Sequence, residues 1–307
     1  MSASGTLTIV ATPIGNLGDF TPRAADALSS ADIIACEDTR VTRKLLRLTG
    51  TATKARMVPY HDHNGAEKRP WILAQLAAGR QVALVSDAGT PLVSDPGYKL
   101  VAACREAGIA VVAAPGASAV LAALTVSGLP SDRFMFAGFM PAAEGARREL
   151  ITELAMLSAT TIWFETPSRL ARSLTDMADI LGPRNAVIAR ELTKLHEEIL
   201  RGPLDQLAAR MVSERVLKGE IVLLVAGRPR DDHAIDEAQL AAMLRAELQG
   251  QRLRDAVRSV VEITGLPRNR VYRLALTLNG DGPGQRPHED RPDQGPDRGP
   301  DQGHEGG

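Results

Sequence analysis

Four stretches of the 307-residue sequence end an apolar, strand-prone run in small or cyclic residues. They are Ala11-Thr12-Pro13-Ile14-Gly15-Asn16-Leu17-Gly18, Ser86–Gly97, Pro115-Gly116-Ala117-Ser118-Ala119 and Phe164-Glu165-Thr166-Pro167. Small residues let backbone N–H and C=O groups approach a ligand, and proline fixes the turn. One such loop alone reads as a tight turn, which needs glycine and proline in any case. Four of them at strand ends read as a small-molecule site, because ligands of open α/β sheets sit at the carboxyl ends of the strands. The usual phosphate cradles are absent. Gly15 and Gly18 do not give the G-x-G-x-x-G spacing, and no G-x-x-x-x-G-K-[ST] string occurs. No His, Cys and Asp group has metal-ligand spacing either, so the chemistry is read as metal-free.

The elements that must position these loops alternate, strand then helix, over the first two hundred or so residues. Leu7–Thr12 is the first strand, followed by Thr21 as an N-cap, Pro22 at the first helical position and a helix through Ser30. Ile33–Glu37 and Val82–Val85 are strands, with helix predicted over Gly65–Ala78 and Tyr98–Ala107, and Val111–Ala114 is a further strand. Ala117–Val126 is a small-residue helix fit to lie between two halves. Beyond it come strands at Phe134–Phe136, Thr161–Phe164, Ala186–Ala189 and Ile221–Val225, a helix over Ala143–Leu157, and a strand or hairpin at Glu191–Gly202. The expected architecture is α/β with two domains, 6–115 and 116–228, and a ligand cleft between them. A helical module over 235–279 and a disordered Gly/Pro/Asp/Gln tail over 280–307 follow.

Charge is uneven although the whole chain is net −1. The segment from Gly280 carries a net −4, which leaves a mildly basic body of +3 that permits a nucleic-acid partner. No apolar run reaches the roughly 20 residues that span a bilayer, and the N-terminus lacks a secretory pattern, so a cytoplasmic enzyme without a membrane partner is expected. The two cysteines, Cys36 and Cys104, sit in apolar surroundings and are read as core thiols.

Taken in order, the strings Ala11–Asp19, Glu37-Asp38-Thr39-Arg40, Ser86-Asp87-Ala88-Gly89-Thr90-Pro91, Asp95-Pro96-Gly97, Pro115–Ala119 and Lys218-Gly219-Glu220 resemble the ribosomal RNA small subunit methyltransferase I family of the tetrapyrrole methylase superfamily. The resemblance implies S-adenosylmethionine as methyl donor, bound in a cleft between two α/β domains. It also implies transfer to the ribose 2′-hydroxyl of a cytidine in 16S ribosomal RNA of the small subunit, and a homodimer. Carried over by position, Pro13 would pack against the cofactor and Asp87, Ala88, Gly89 and Thr90 would wrap its methionine part. Ser118 and Ala119 would meet it at a helix start, and Phe164, Glu165, Leu192 and Gly219 would lie on the adenosine side. The chain departs from the family pattern at Ser168-Arg169, where many relatives carry a histidine before the arginine.

Methylating a hydroxyl requires alignment and a proton acceptor. Glu37, Asp38, Glu165, Glu191, Lys194, His196 and Glu220 are the titratable groups near the loops, with Glu37, Glu191 and Lys194 foremost. Lys194 serves only if burial or a neighbouring cation lowers its pKa. Asp38 or Thr39 equally suits the cap of a helix starting near Val41. Asp38 and Arg40, with Arg254, Arg258, Arg268, Arg270 and Arg273 of the helix-turn-helix-like module, are the candidate RNA contacts. Two other readings fit part of the pattern: a methylase of a tetrapyrrole precursor, and a nucleic-acid-binding regulator with a degenerate enzyme-like domain.

Overall fold

The computed structural model describes residues 4–213, 218–229, 237–264 and 266–279. They fall into two compact units, divided in the chain between Arg228 and Pro229. The tail expected over 280–307 lies outside the described residues.

The first unit opens with β1 (Thr6–Val10), α1 (Pro22–Ser30), β2 (Ile33–Cys36), α2 (Thr39–Thr49) and β3 (Arg56–Pro59). It continues with α3 (Gly65–Ala77), β4 (Val82–Val85), α4 (Tyr98–Glu106) and β5 (Ala110–Ala114). These five strands form one parallel sheet in the order β3-β2-β4-β1-β5. Such a sheet is covered on both faces, and its inner strands β2 and β4 are accordingly apolar and buried along their whole length. Alternate residues of β4 divide between the two covers. Val82 and Leu84 enter a core with residues of α3 and α4, while Ala83 and Val85 enter another with residues of α1 and α2. Thr21 caps α1 as its type predicts, its hydroxyl accepting from the Ala24 N–H at 3.2 Å.

Next come α5 (Ala119–Ser127), β6 (Phe134–Phe139), α6 (Glu144–Leu154), β7 (Thr160–Glu165), α7 (Leu170–Leu181), β8 (Asn185–Arg190), β9 (Glu198–Pro203), α8 (Leu204–Ser213) and β10 (Ile221–Val225). The strands make a mixed sheet, β6-β7-β10-β8-β9, with β10 antiparallel to both β7 and β8. All five residues of β10 are buried. Ile221, Leu223 and Val225 join side chains of α6, α7 and α8, whereas Val222 and Leu224 face α5 and Ile14. The segment Glu191–Gly202 resolves into a turn-rich loop and then β9, which pairs antiparallel with β8. Three elements, β3, α7 and α8, lie where the sequence pattern assigned none. Cys36 and Cys104 are both buried and unbridged.

The second unit contains α9 (Glu237–Leu248), α10 (Leu253–Thr264) and α11 (Arg268–Leu278). Leu240, Leu244, Val257, Val260, Leu266, Val271 and Ala275 form its core. Among the described residues no helix is long and apolar enough to cross a membrane.

Candidate functional site

β4 has β2 on one side and β1 on the other, and β5 lies beyond β1, so the loops leaving their carboxyl ends are neighbours. Glu37, Asp38 and Asp87 interlock just past β2 and β4. The Glu37 carboxylate accepts from the Asp87 N–H. Asp87 Oδ1 accepts in turn from the Asp38 N–H at 3.0 Å. Burial pushes the pKa of both Glu37 and Asp87 up, and their mutual repulsion adds to the rise at Glu37. Asp38 is the cap of α2: its Oδ1 accepts from the Arg40 N–H at 2.7 Å, and its Oδ2 pairs with Arg40 Nη2 at 2.6 Å. That double engagement turns the Asp38 carboxylate toward its own helix and holds its pKa down at about 2. As an RNA contact it is displaced by its structural task, while the Arg40 side chain remains exposed.

The first loop and the β4 loop are stitched together through Thr12 and Gly89, which exchange backbone hydrogen bonds of 2.8 and 3.0 Å. Gly89 has φ +78°, and a Cβ there would stand 3.3 Å from Ile14 Cγ2, so a side chain would be both strained and crowded. Thr90 Oγ1 donates to the Ala117 carbonyl at 2.9 Å and ties in the third loop. Between these loops and the second sheet lies a cavity of about 340 Å³. Asp87, Ala88, Gly89, Thr90, Ser118, Ala119, Phe164, Glu165 and Gly219 line it, nine of the eleven positions expected at the cofactor. Pro13 and Leu192 do not. Ile14 presents itself in place of Pro13, and Leu192 is packed into the core with Ile14, Val120 and Val222. Phe139, Val93 and Asp95 are lining residues to which the sequence reading gave no role.

Asp95 is the most perturbed acid there. Burial, with Glu37 and Asp87 adding repulsion against a hydrogen bond to Ser86, pushes its pKa up to about 6. The motif Asp95-Pro96-Gly97 was visible in the sequence, but the burial that gives Asp95 its chemistry was not.

A second charged cluster sits where the loop after β8 meets the start of β10. Lys194 Nζ donates to Glu191 Oε1 at 2.8 Å and to Glu220 Oε2 at 3.1 Å, and the Glu220 N–H donates to Glu191 at 3.0 Å. Gly219, φ +98°, allows this closeness, since a Cβ there would fall 2.4 Å from Glu191 Cδ. Burial pulls the Lys194 pKa down, but its bonds to the two carboxylates outweigh that and hold it above the ordinary value. Burial alone therefore does not meet the condition for Lys194 as a proton acceptor, and among the protein's own groups it stands as a cation. The same bonds lower the pKa of Glu191.

Compared with known proteins, residues 6–208 match the family model for Tetrapyrrole (Corrin/Porphyrin) Methylases, and residues 234–279 match the RsmI C-terminal HTH domain. The Ribosomal RNA small subunit methyltransferase I of Synechocystis sp. is 47% identical over 281 residues, spanning 91% of this chain and 100% of that protein. The protein of that name from Micromonospora olivasterospora is 47% identical over 287 residues, spanning 91% and 90%. The chain belongs to the ribosomal RNA small subunit methyltransferase I family. It is a methyltransferase with the tetrapyrrole methylase fold. The uroporphyrin-III-C-methyltransferase structure from Thermus thermophilus shares that fold, with a TM-score of 0.51 and 20% identity over 72% of this chain and 94% of that one.

Within this methyltransferase, Glu165 has a structural assignment. Its buried carboxylate pairs with Arg169 at 2.9 Å, accepts from the Thr166 N–H at 2.6 Å and receives the Ser173 hydroxyl. It lines the cavity with its carboxylate already satisfied, which removes it from the proton acceptors. Ser168, at the departure from the family pattern, is exposed, and its hydroxyl lies 3.5 Å from that of Thr166. In the helical unit Arg254, Arg258, Arg268 and Arg273 are exposed, Arg258 paired with Asp255 at 3.0 Å, and Arg270 is half-buried.

Proposed function

We propose that this methyltransferase transfers the methyl group of S-adenosylmethionine to the ribose 2′-hydroxyl of a cytidine in 16S ribosomal RNA, working in the cytoplasm as a homodimer. The observation that carries the reading is the convergence of all four strand-end loops on one cavity in a chain of this family. The cavity suits the cofactor chemically. Ile14, Val93, Val120 and Phe164 offer apolar walls for a nucleoside. Ser118 begins α5 without a side-chain cap, which leaves the first-turn N–H groups to a carboxylate. Asp87 and Asp95 supply negative charge for a sulfonium. When bound, S-adenosylmethionine supplies an electrophilic methyl group.

The chain's own residues then have two tasks. The loops fix the orientation of the reactants, which can supply ~7–11 kcal/mol of the barrier. Asp95 takes the hydroxyl proton, because it lines the cavity and burial brings its pKa nearest to a working pH, with Glu37 behind it. Lys194 is a positioning cation that fixes Glu191 and Glu220. Large structured RNA is gripped by Arg40 and by the exposed arginines of α10 and α11, and such phosphate contacts weaken with salt.

The test is transfer of label from methyl-tritiated S-adenosylmethionine onto 30S subunits, free 16S RNA, DNA and a porphyrinogen. Label on 30S subunits or free RNA, lost when the 2′-hydroxyl of the target nucleotide is replaced by hydrogen, is the expected result. Label on the porphyrinogen alone overturns it.

A further inference from the structure

A second cavity, of about 320 Å³, opens at the carboxyl ends of β3 and β4. Its walls are the segment after β3, the first turns of α3 and α4, and Asp95, which is also a lining residue of the first cavity. Its donors are numerous. Neither α3 nor α4 begins with a side-chain cap, so both bring the positive end of a helix to the cavity, although the Gly65 and Glu67 N–H groups of α3 are already taken by the His61 and Asn64 carbonyls. Asn64, which could have capped α3, is turned back instead. Its Oδ1 accepts from the His61 N–H at 3.0 Å, and its Nδ2 donates to the Pro59 carbonyl at 3.1 Å and lies 3.1 Å from His61 Nε2.

That amide orientation fixes the imidazole. Nδ2 can only donate, so His61 Nε2 accepts and Nδ1 carries the proton of the neutral ring. His61 Nδ1 is buried without a partner among the described residues, and so is Arg69 Nε. A buried donor left unpaired costs about 1–3 kcal/mol, and two of them on residues lining one cavity point to an acceptor. Lys99 adds a further cation on the first turn of α4. The acids on the rim are Asp62, which is exposed, and Asp95, which is bonded to Ser86.

We propose that the second cavity seats a backbone phosphate of the substrate RNA beside the target ribose, so that the ribose hydroxyl reaches the methyl-donor cavity at Asp95. Two helix N-termini, a guanidinium, an ammonium and an imidazole N–H together match a phosphodiester. The proposal rests on the RNA reading above, and its test separates the two. Steady-state methylation of 30S subunits or RNA is compared for wild type and Arg69→Gln/Lys99→Gln, with cofactor affinity measured by calorimetry. The variant should raise KM for RNA about tenfold or more and leave cofactor Kd unchanged. The slope of log KM against log salt should become shallower by about 1, for the one phosphate that the variant no longer neutralises. Lys99→Arg, which keeps the charge, should retain the wild-type KM.

Inorganic phosphate serves as the probe that does not depend on RNA. Its ³¹P line should broaden with wild type and stay narrow with the double variant. If wild type methylates no ribosomal RNA, the RNA reading falls while the phosphate titration still judges the anion site. An unchanged KM and salt slope, or equal broadening by both proteins, overturns the proposal.

Discussion

At the scale of the residue, the site is governed by carboxylates whose burial differs. Asp38 is pinned by Arg40 and lies low, Glu191 is lowered by Lys194, and Asp95 is raised to about 6 from an ordinary 3.8. A carboxyl with a raised folded-state pKa favours the protonated folded protein. Its contribution is therefore complete below about pH 4 and is lost as pH rises through about 6. The shift corresponds to ~3 kcal/mol at face value, and to about 1–2 kcal/mol once the solvent-accessible part of the side chain is discounted. Asp95→Asn should accordingly be more stable than wild type at pH 7.5, with the difference vanishing near pH 4, by urea denaturation at both pH values. The same variant should lose methyl transfer, and the wild-type rate should climb with pH through about 6. Equal stabilities at both pH values would place Asp95 in water and remove it from this role. Sequence exposed the Asp95-Pro96-Gly97 string and the Glu191 and Lys194 candidates, because residue type and order were enough. It left the charge of Lys194 conditional on its surroundings, because that charge depends on burial, on Glu191 and on a carboxylate brought from Glu220, twenty-six positions away.

At the scale of the element, strands buried on both faces announce themselves as unbroken apolar runs, and β4 and β10 were read with their observed bounds, Val82–Val85 and Ile221–Val225. α7 was hidden for a physical reason. Its buried stripe includes Ser173 and Asp176 as well as Leu170, Leu174 and Met177, and those polar positions are buried only because other elements satisfy them. Ser173 bonds Glu165 at the end of β7, and Asp176 bonds Arg147 and Arg148 of α6. β3 is a four-residue edge strand ending in proline, too short to show alternation. α8 has clear helical spacing in Leu204, Leu207, Ala208 and Met211 directly after the Gly202-Pro203 end of β9, so it was legible in the sequence and was missed. The α6–α7 contact is testable. Asp176 Oδ2 meets Arg147 Nε at 2.6 Å with both side chains under a tenth exposed. Removing one member leaves a buried charge unpaired, so Asp176→Ala should cost about 3–5 kcal/mol. Asp179→Ala, at the exposed end of the same network, should cost about 0–1 kcal/mol. Chemical denaturation of the two variants decides it, and equal losses would show that the network is not divided by burial as described.

At the scale of the whole molecule, the two sheets are well covered by helices, yet certain apolar side chains of the first unit are left in water. α5 is apolar on nearly every side, a composition suited to a helix enclosed all round. One face packs Val120, Ala123 and Leu124 against the second sheet, while Leu121 is 52% and Val126 40% exposed. β5, an edge strand, leaves Val112 45% exposed, and the edge strand β6 leaves Phe134 43% exposed. Edges and faces of this kind are normally blunted by charge or covered by protein. A second copy of the chain is the cover proposed above, and a two-fold pairing would use the same surface on both partners. Because α5 also opens the methyl-donor cavity through Ser118 and Ala119, pairing on its outer face would brace the turn that receives the cofactor. Sedimentation velocity at micromolar concentration should therefore give twice the chain mass for wild type. Leu121→Glu should sediment as a single chain, and its cofactor affinity should fall with that change, whereas Met156→Glu, at an exposed position on the loop after α6, should alter neither. A wild-type protein of single-chain mass, or a Leu121→Glu variant that remains paired, would rule out α5 as the contact.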